Sequence, residues 1–137
     1  MKLKLIDFGV PADFVPHRAH ENDAGADVFA TGEYVLKPND TVKIPLGFGV
    51  KLPDGFTGFI FPRSGLSSKG IVCELPPIDS GYRGEIHAIV TNVSNFTYTI
   101  HIGDRVGQLV ILPACIPEFT FDDFTERGQG AFGSTGK

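Results

Sequence analysis

Glycine and proline punctuate this chain so closely that little room is left for helices: 17 Gly and 10 Pro are spread over 137 residues. The longest window free of both is 85–102, EIHAIVTNVSNFTYTIHI, and it alternates instead of repeating at the helical period. Ile86, Ala88 and Val90 fall on one face, 92–95 reads as a turn, and Tyr98, Ile100 and Ile102 alternate again. The segment 41–50, TVKIPLGFGV, alternates more cleanly, with Val42, Ile44, Leu46, Phe48 and Val50 on one face. Pro45 has no N–H to give to a ladder, which demotes that run to an edge strand or a bulge. Two short apolar runs, GFIF at 58–61 and QLVIL at 108–112, are bounded by turn signals as buried strands are. The turns 37–40, 53–55 and 103–104 recur at spacings of roughly 8–15 residues, which fits a sandwich, barrel or jelly roll. The stretch 118–127, EFTFDDFTER, is rich in Phe and Thr and is expected as a strand. With no internal repeat and no linker, the reading is a single all-β domain.

Composition then removes whole classes of function. Twelve Lys+Arg against 16 Asp+Glu give a formal charge of −4, with no basic run, so a nucleic-acid binder is not expected. Hydrophobic residues make up 42% of the chain, too many for a disordered one. No apolar run approaches the roughly 20 residues of a membrane span, and MKLKLIDFGV lacks the apolar stretch of a signal peptide. Cys73 and Cys115 have no CxxC spacing, so neither a disulfide framework nor a zinc ribbon is expected. These features point to a reduced, cytoplasmic enzyme or binding module without a membrane partner. In such a chain an anionic ligand must be met by a few placed cations, backbone amides or a metal.

Polar residues in tight glycine contexts interrupt the strand pattern at five places. NDAGAD (22–27) sets Asp23 and Asp27 about a Gly, either a solvated turn or a carboxylate holding a hydrated cation. PRSGLSSKG (62–70) follows an apolar strand with a cation, hydroxyls and flexible backbone, the parts of a phosphate pocket and also of an ordinary loop. PPIDSGYRGE (76–85) carries Asp79 and Tyr82, and IGDRVGQLV (102–110) carries Gln108 at the start of a buried strand. The glycine-rich end, RGQGAFGSTGK (127–137), reads as a frayed terminus or as a loop wrapping an anion, and it is no Walker A loop.

Taken together, AGADVFA (24–30), PRSGLSSK (62–69), IDSGYRGE (78–85), DRVGQLV (104–110) and RGQGAFGSTG (127–136) resemble, in order and spacing, the five motifs of the trimeric all-β dUTP pyrophosphatases. The resemblance implies a distorted jelly-roll or β-clip-like domain over 1–126, a flexible lid over 127–137, and a homotrimer with shared active sites. It implies Mg²⁺-dependent hydrolysis of dUTP to dUMP and pyrophosphate, which keeps uracil out of DNA and supplies dUMP for thymidylate synthesis. By the same resemblance Asp79 activates the attacking water, a general-base role for a carboxylate partly screened from bulk water. Tyr82 lies under the deoxyribose and leaves no room for a 2′-hydroxyl. Asp27 orients waters of a Mg²⁺ that the substrate phosphates mainly hold. Arg63, Ser64, Gly65 and Gln108 bind phosphate oxygens. Phe132 stacks on uracil, and Arg127, Gly133, Ser134 and Thr135 serve the tail's grip on the substrate, with Arg127, Ser134 and Thr135 on the γ-phosphate.

Some positions depart from the pattern. Pro76 stands where the family usually has Gly, Pro77 follows it, and a base-contacting Asn is replaced near Cys73. Proline removes a donor and fixes φ, so this hairpin must present the base differently. Ala131 replaces a usual tail glycine. The related dCTP deaminases carry a proton-transferring Glu where this chain has Ile89, which cannot move a proton. A non-catalytic nucleotide-binding or regulatory protein of the same fold is the alternative from another class, although such a binder has no need of Asp79, Asp27 and Arg63. His17, His20, His87 and His101 are scattered and are read as surface or satisfied histidines.

Overall fold

The computed structural model describes residues 1–123; besides a 3₁₀ turn at Ala12–Phe14, these form ten short strands and one α-helical turn. In chain order these are β1 (Lys4–Asp7), β2 (Ala26–Phe29), β3 (Tyr34–Leu36), β4 (Thr41–Pro45), β5 (Phe48–Lys51), β6 (Phe56–Phe61), α1 (Ser64–Ser67), β7 (Ile71–Cys73), β8 (His87–Asn92), β9 (Tyr98–Ile100) and β10 (Arg105–Pro113). All pair antiparallel in four small sheets: β2-β10-β6, β4-β8-β7, β1-β5 and β3-β9. The sheets do not close into a barrel; they wrap one core as a distorted jelly roll. Inward residues of the alternating runs build that core, Val28, Ile44, Phe48, Ala88, Val90 and Ile100 each being at most 1% exposed.

The run 41–50 alternates in burial only over 41–45, is buried throughout 46–50, and is two strands. β4 is an edge strand of its sheet and ends at Pro45, while β5 belongs to a different sheet. Gly47 makes the break. Its φ of +82° suits glycine, and a Cβ there would lie 2.9 Å from Val10 Cα. The expected strand over 118–127 does not form over 118–123, since a strand needs a partner and this segment pairs with no described strand. Phe119 and Phe121 there are 90% and 102% exposed. The remaining residues of that segment, and the expected division between a core at 1–126 and a lid at 127–137, lie outside the described residues. No helix among the described residues is long and apolar enough to cross a membrane.

One polar residue, Asn92, is fully buried. Its Nδ2 donates to the carbonyls of Leu36 (2.9 Å) and Phe96 (2.7 Å). Its Oδ1 accepts from the Ser94 amide (2.9 Å) and the Ser94 hydroxyl (2.7 Å). The side chain thereby ties β3 to the β8–β9 turn.

Candidate active site

Two groups of the residues singled out above assemble in separate parts of the chain. In the first, the register of β2 on β10 puts Asp27 directly opposite Gln108, and β6 on the other side of β10 puts Phe61 opposite the same Gln108. Past Phe61 the chain leaves the sheet as Pro62-Arg63 and turns into α1. The Gln108 Nε2 donates to the Pro62 carbonyl at 3.0 Å. On its other side lies Gly25, where a Cβ would overlap the Gln108 amide oxygen and sit 2.9 Å from Gln108 Cβ. The absent side chain is therefore what lets Gln108 lie where it does. Asp27 is half-buried, with an oxygen 3.7 Å from Arg105 Nη1. Beside this row a cavity of about 450 Å³ is lined by Arg63, Gly65, Lys69, Asp104 and Arg105 among others. Three cations facing one carboxylate make it a place for an anion. Ser64 is exposed at the start of α1.

The second group belongs to the 74–86 segment, which arches over the outer face of β8. It is pinned at both ends. Glu74 N–H donates to the Ile89 carbonyl (2.8 Å), Ile78 exchanges backbone bonds with Gly58 (2.7 and 3.2 Å), and Ile86 N–H donates to the Phe48 carbonyl (2.8 Å). The Glu85 carboxylate accepts the Gly47 N–H at 2.7 Å, so the break between β4 and β5 also anchors this arch. Between the pins, Tyr82 N–H closes a turn on the Asp79 carbonyl (3.0 Å), and the Tyr82 hydroxyl donates to the Glu85 carbonyl (2.7 Å). Asp79 and Tyr82 thus line one cavity of about 310 Å³ together with Pro76, Pro77 and Ile89. Asp79 is exposed in the single chain, not screened from water as the sequence reading expected.

Three further side chains on that cavity have no counterpart in the sequence reading: Lys43, Glu74 and His87. His87 was placed among the surface or satisfied histidines. It comes to the cavity because β8 pairs Pro45 with His87 and Lys43 with Ile89, and a long-range register carries no local sequence signal. Cys73 begins the arch as a half-buried thiol donating to the Ile60 carbonyl at 3.3 Å. Burial pushes its pKa up to about 11, so it is neither a thiolate nor a nucleophile at neutral pH.

The described residues hold no group of three or more His, Cys, Asp or Glu able to cage a metal. The donor set at Asp27, one carboxylate beside a cationic cavity, fits an ion held chiefly by other ligands. Arg127, Phe132, Gly133, Ser134 and Thr135 lie outside the described residues.

Comparison with known proteins supplies the context for both halves. The dUTPase family profile matches residues 13–136. A deoxyuridine 5′-triphosphate nucleotidohydrolase of Tropheryma whipplei (strain Twist) is 41% identical over 131 residues, 90% of each chain. One from Clostridium tetani is 39% identical over the whole of this chain and 97% of its own. Among solved structures, the dUTPase of Staphylococcus aureus phage phi11 superposes with a TM-score of 0.83 at 28% identity, covering 92% of this chain and 99% of that one. A mutant of the phage 80alpha dUTPase bound to dUpNHpp gives 0.80 at 29% identity, covering 98% of both. A further phi11 mutant structure is described as coordinating a structural Mg(II) ion. Fold, motif order and these relatives agree: the chain belongs to the dUTPase family.

Proposed function

We propose that this chain hydrolyses dUTP to dUMP and pyrophosphate, with Asp79 as the base that activates the water attacking the α-phosphorus. The observation that carries the reading is the shared cavity of Asp79 and Tyr82, closed on its apolar side by Ile89. A carboxylate beside a ring that can lie under a sugar is what water activation next to a bound nucleotide needs. Ile89 offers no proton, which leaves deamination without its acid–base group. Tyr82, fixed by its hydroxyl bond to Glu85, blocks a 2′-hydroxyl. Arg63, Ser64, Gly65 and Gln108 hold phosphate oxygens, and the cationic cavity beside Arg63 supports that role. Mg²⁺, held mainly by the phosphates and through water by Asp27, neutralises charge on the triphosphate when bound. Arg127, Phe132, Gly133, Ser134 and Thr135 of the 127–137 lid complete the grip on base and γ-phosphate.

The active unit in this reading is a cytoplasmic homotrimer with sites shared between subunits. Two features support it. The two cavities have no lining residue in common. Ile116, Phe119 and Phe121 leave the end of β10 at least 80% exposed, an apolar strip that a neighbouring copy can cover. The product role follows: dUTP is kept from DNA and dUMP is supplied for thymidylate synthesis.

The test is pyrophosphate release from dUTP, dCTP, dTTP and UTP in parallel, with Mg²⁺ and with EDTA. Metal-dependent release from dUTP alone is expected. Release from none, with dUTP still bound, favours the nucleotide-binding alternative.

Gly25→Ala gives a second check. Its methyl group must push Gln108 off the Pro62 carbonyl, and misplacing an oriented group by about 1 Å costs on the order of 10²-fold. The substitution is expected to lower kcat/KM by about 10–100-fold without unfolding the protein. In a Gln108→Gly background, where neither the amide nor its Cβ remains to displace, it should add no further loss. An equal loss in both backgrounds would show that Gly25 acts elsewhere.

A further inference from the structure

In the dUTPase pattern this hairpin offers its backbone to the base, but here its first arm, residues 74–78, has a single unbonded amide left. Pro76 and Pro77 have no N–H. The amides of Glu74 and Ile78 are already given to the carbonyls of Ile89 and Gly58. Leu75 alone among residues 74–78 keeps an N–H without a backbone acceptor among the described residues. Nor is the Cys73 thiol available, since it points at the Ile60 carbonyl. A pyrimidine entering beside Tyr82 therefore meets an arm that can accept but scarcely donate.

The opposite wall differs. Lys43 and His87 are diagonal neighbours on one face of the β4–β8 pair, through the Lys43–Ile89 and Pro45–His87 register, and both line the cavity. Diagonal neighbours lie about 7–8 Å apart at Cα, so two side chains of this length can reach one ring. The chemistry of His87 is set by its neighbour. The ring Nδ1 is 3.2 Å from the Glu85 carbonyl, and a carbonyl can only accept, so Nδ1 carries the proton. In the neutral ring Nε2 is then an acceptor. Lys43 contributes donors only.

We propose that Lys43 and His87 are the specificity-determining side chains of this enzyme, reading the base edge that the proline-bearing hairpin has given up. The inference rests on the dUTP-hydrolysing reading above. Uracil presents acceptor, donor, acceptor at O2, N3–H and O4. The complementary set is donor, acceptor, donor, which the Leu75 N–H, His87 Nε2 and the Lys43 ammonium supply. Cytosine has a bare N3 lone pair and an amino group at C4. It would set acceptor against acceptor at His87 and donor against donor at Lys43 or Leu75. The carboxylates that line the cavity, Glu74, Asp79 and Glu85, only accept and can serve neither uracil carbonyl. A site whose polar groups are left unpaired by the wrong base discriminates strongly.

Binding separates this inference from the catalytic reading. The probes are the non-hydrolysable α,β-imido analogues of dUTP and dCTP, titrated by calorimetry at pH 7.5 with Mg²⁺ into the wild-type protein and His87→Ala, His87→Gln and Lys43→Met variants. His87→Ala and Lys43→Met should each weaken the dUTP analogue about tenfold or more and leave the dCTP analogue unchanged or tighter. His87→Gln, whose amide oxygen can still accept, should recover part of the loss. A dUTP-to-dCTP preference that stays within twofold of wild type in both His87→Ala and Lys43→Met overturns the inference, even if dUTP hydrolysis is intact. Failure of the wild type to release pyrophosphate while these ratios still shift would overturn the catalytic reading and leave the base-reading role standing.

Discussion

Replacing Asp79 by Asn is expected to lower kcat for dUTP by about 10²–10⁴-fold, the usual range for removing a positioned general base. The substitution is close to isosteric, and it is the Asp79 main-chain carbonyl, not its carboxylate, that closes the turn to Tyr82. The carboxylate is exposed, so an amide in its place strands no buried partner and the fold should be unchanged. Asparagine cannot take a proton from water at neutral pH, and that is the one property lost. Single-turnover hydrolysis of dUTP gives the chemical step, and titration with the α,β-imido analogue gives binding. A large fall in the first with a change below about threefold in the second is the expected pair of results. Unchanged turnover in Asp79→Asn would remove this residue from the mechanism and send the search for the base elsewhere on the cavity wall, where Glu74 and Glu85 are the other carboxylates.

The largest effect on stability is expected at Asn92, 0% exposed and bonded through both ends of its amide. Asn92→Ala leaves the Leu36 carbonyl and the Ser94 amide without these partners, and each buried group stranded in this way costs about 1–3 kcal/mol. A total of about 3–4 kcal/mol, or a fall in Tm of roughly 10 °C, is expected for a chain of this size. Asn92→Asp is the sharper variant. It keeps the shape but turns a carboxylate oxygen toward the Leu36 and Phe96 carbonyls, replacing two attractions by two repulsions in a buried place. It should be at least as damaging as alanine. Thermal unfolding at one fixed protein concentration measures both, since the Tm of any self-associating chain depends on concentration. An Asn92→Asp protein within 1 kcal/mol of wild type would show that the network contributes little.

Much of the fold was legible because a strand's side-chain alternation is a local property. The faces of 41–50 and 86–90 could be read residue by residue, and Pro45 marked an edge because a missing donor is visible in the sequence. The division of 41–50 into β4 and β5 was less legible, since it depends on Val10 packing against Gly47 from a distant part of the chain. The run 118–123 misled for the opposite reason: its residues suit a strand, but pairing is not a property of the segment alone.

The candidate site divides along the same line. Local sequence was enough to show the chemistry on offer: the carboxylates Asp27 and Asp79, the cation Arg63, the ring of Tyr82, the amide of Gln108, and a hairpin carrying two prolines. It determined the family as well, because five short motifs in order are a one-dimensional signal. Which of these groups meet was settled by long-range packing. The Gln108–Asp27 pairing, the bare Gly25 beneath the Gln108 amide, and the arrival of Lys43 and His87 on the wall facing Asp79 all follow from strand register between segments far apart in the chain. Register is set by how whole faces pack against one core, and a shift by a single residue would turn His87 from the cavity into that core.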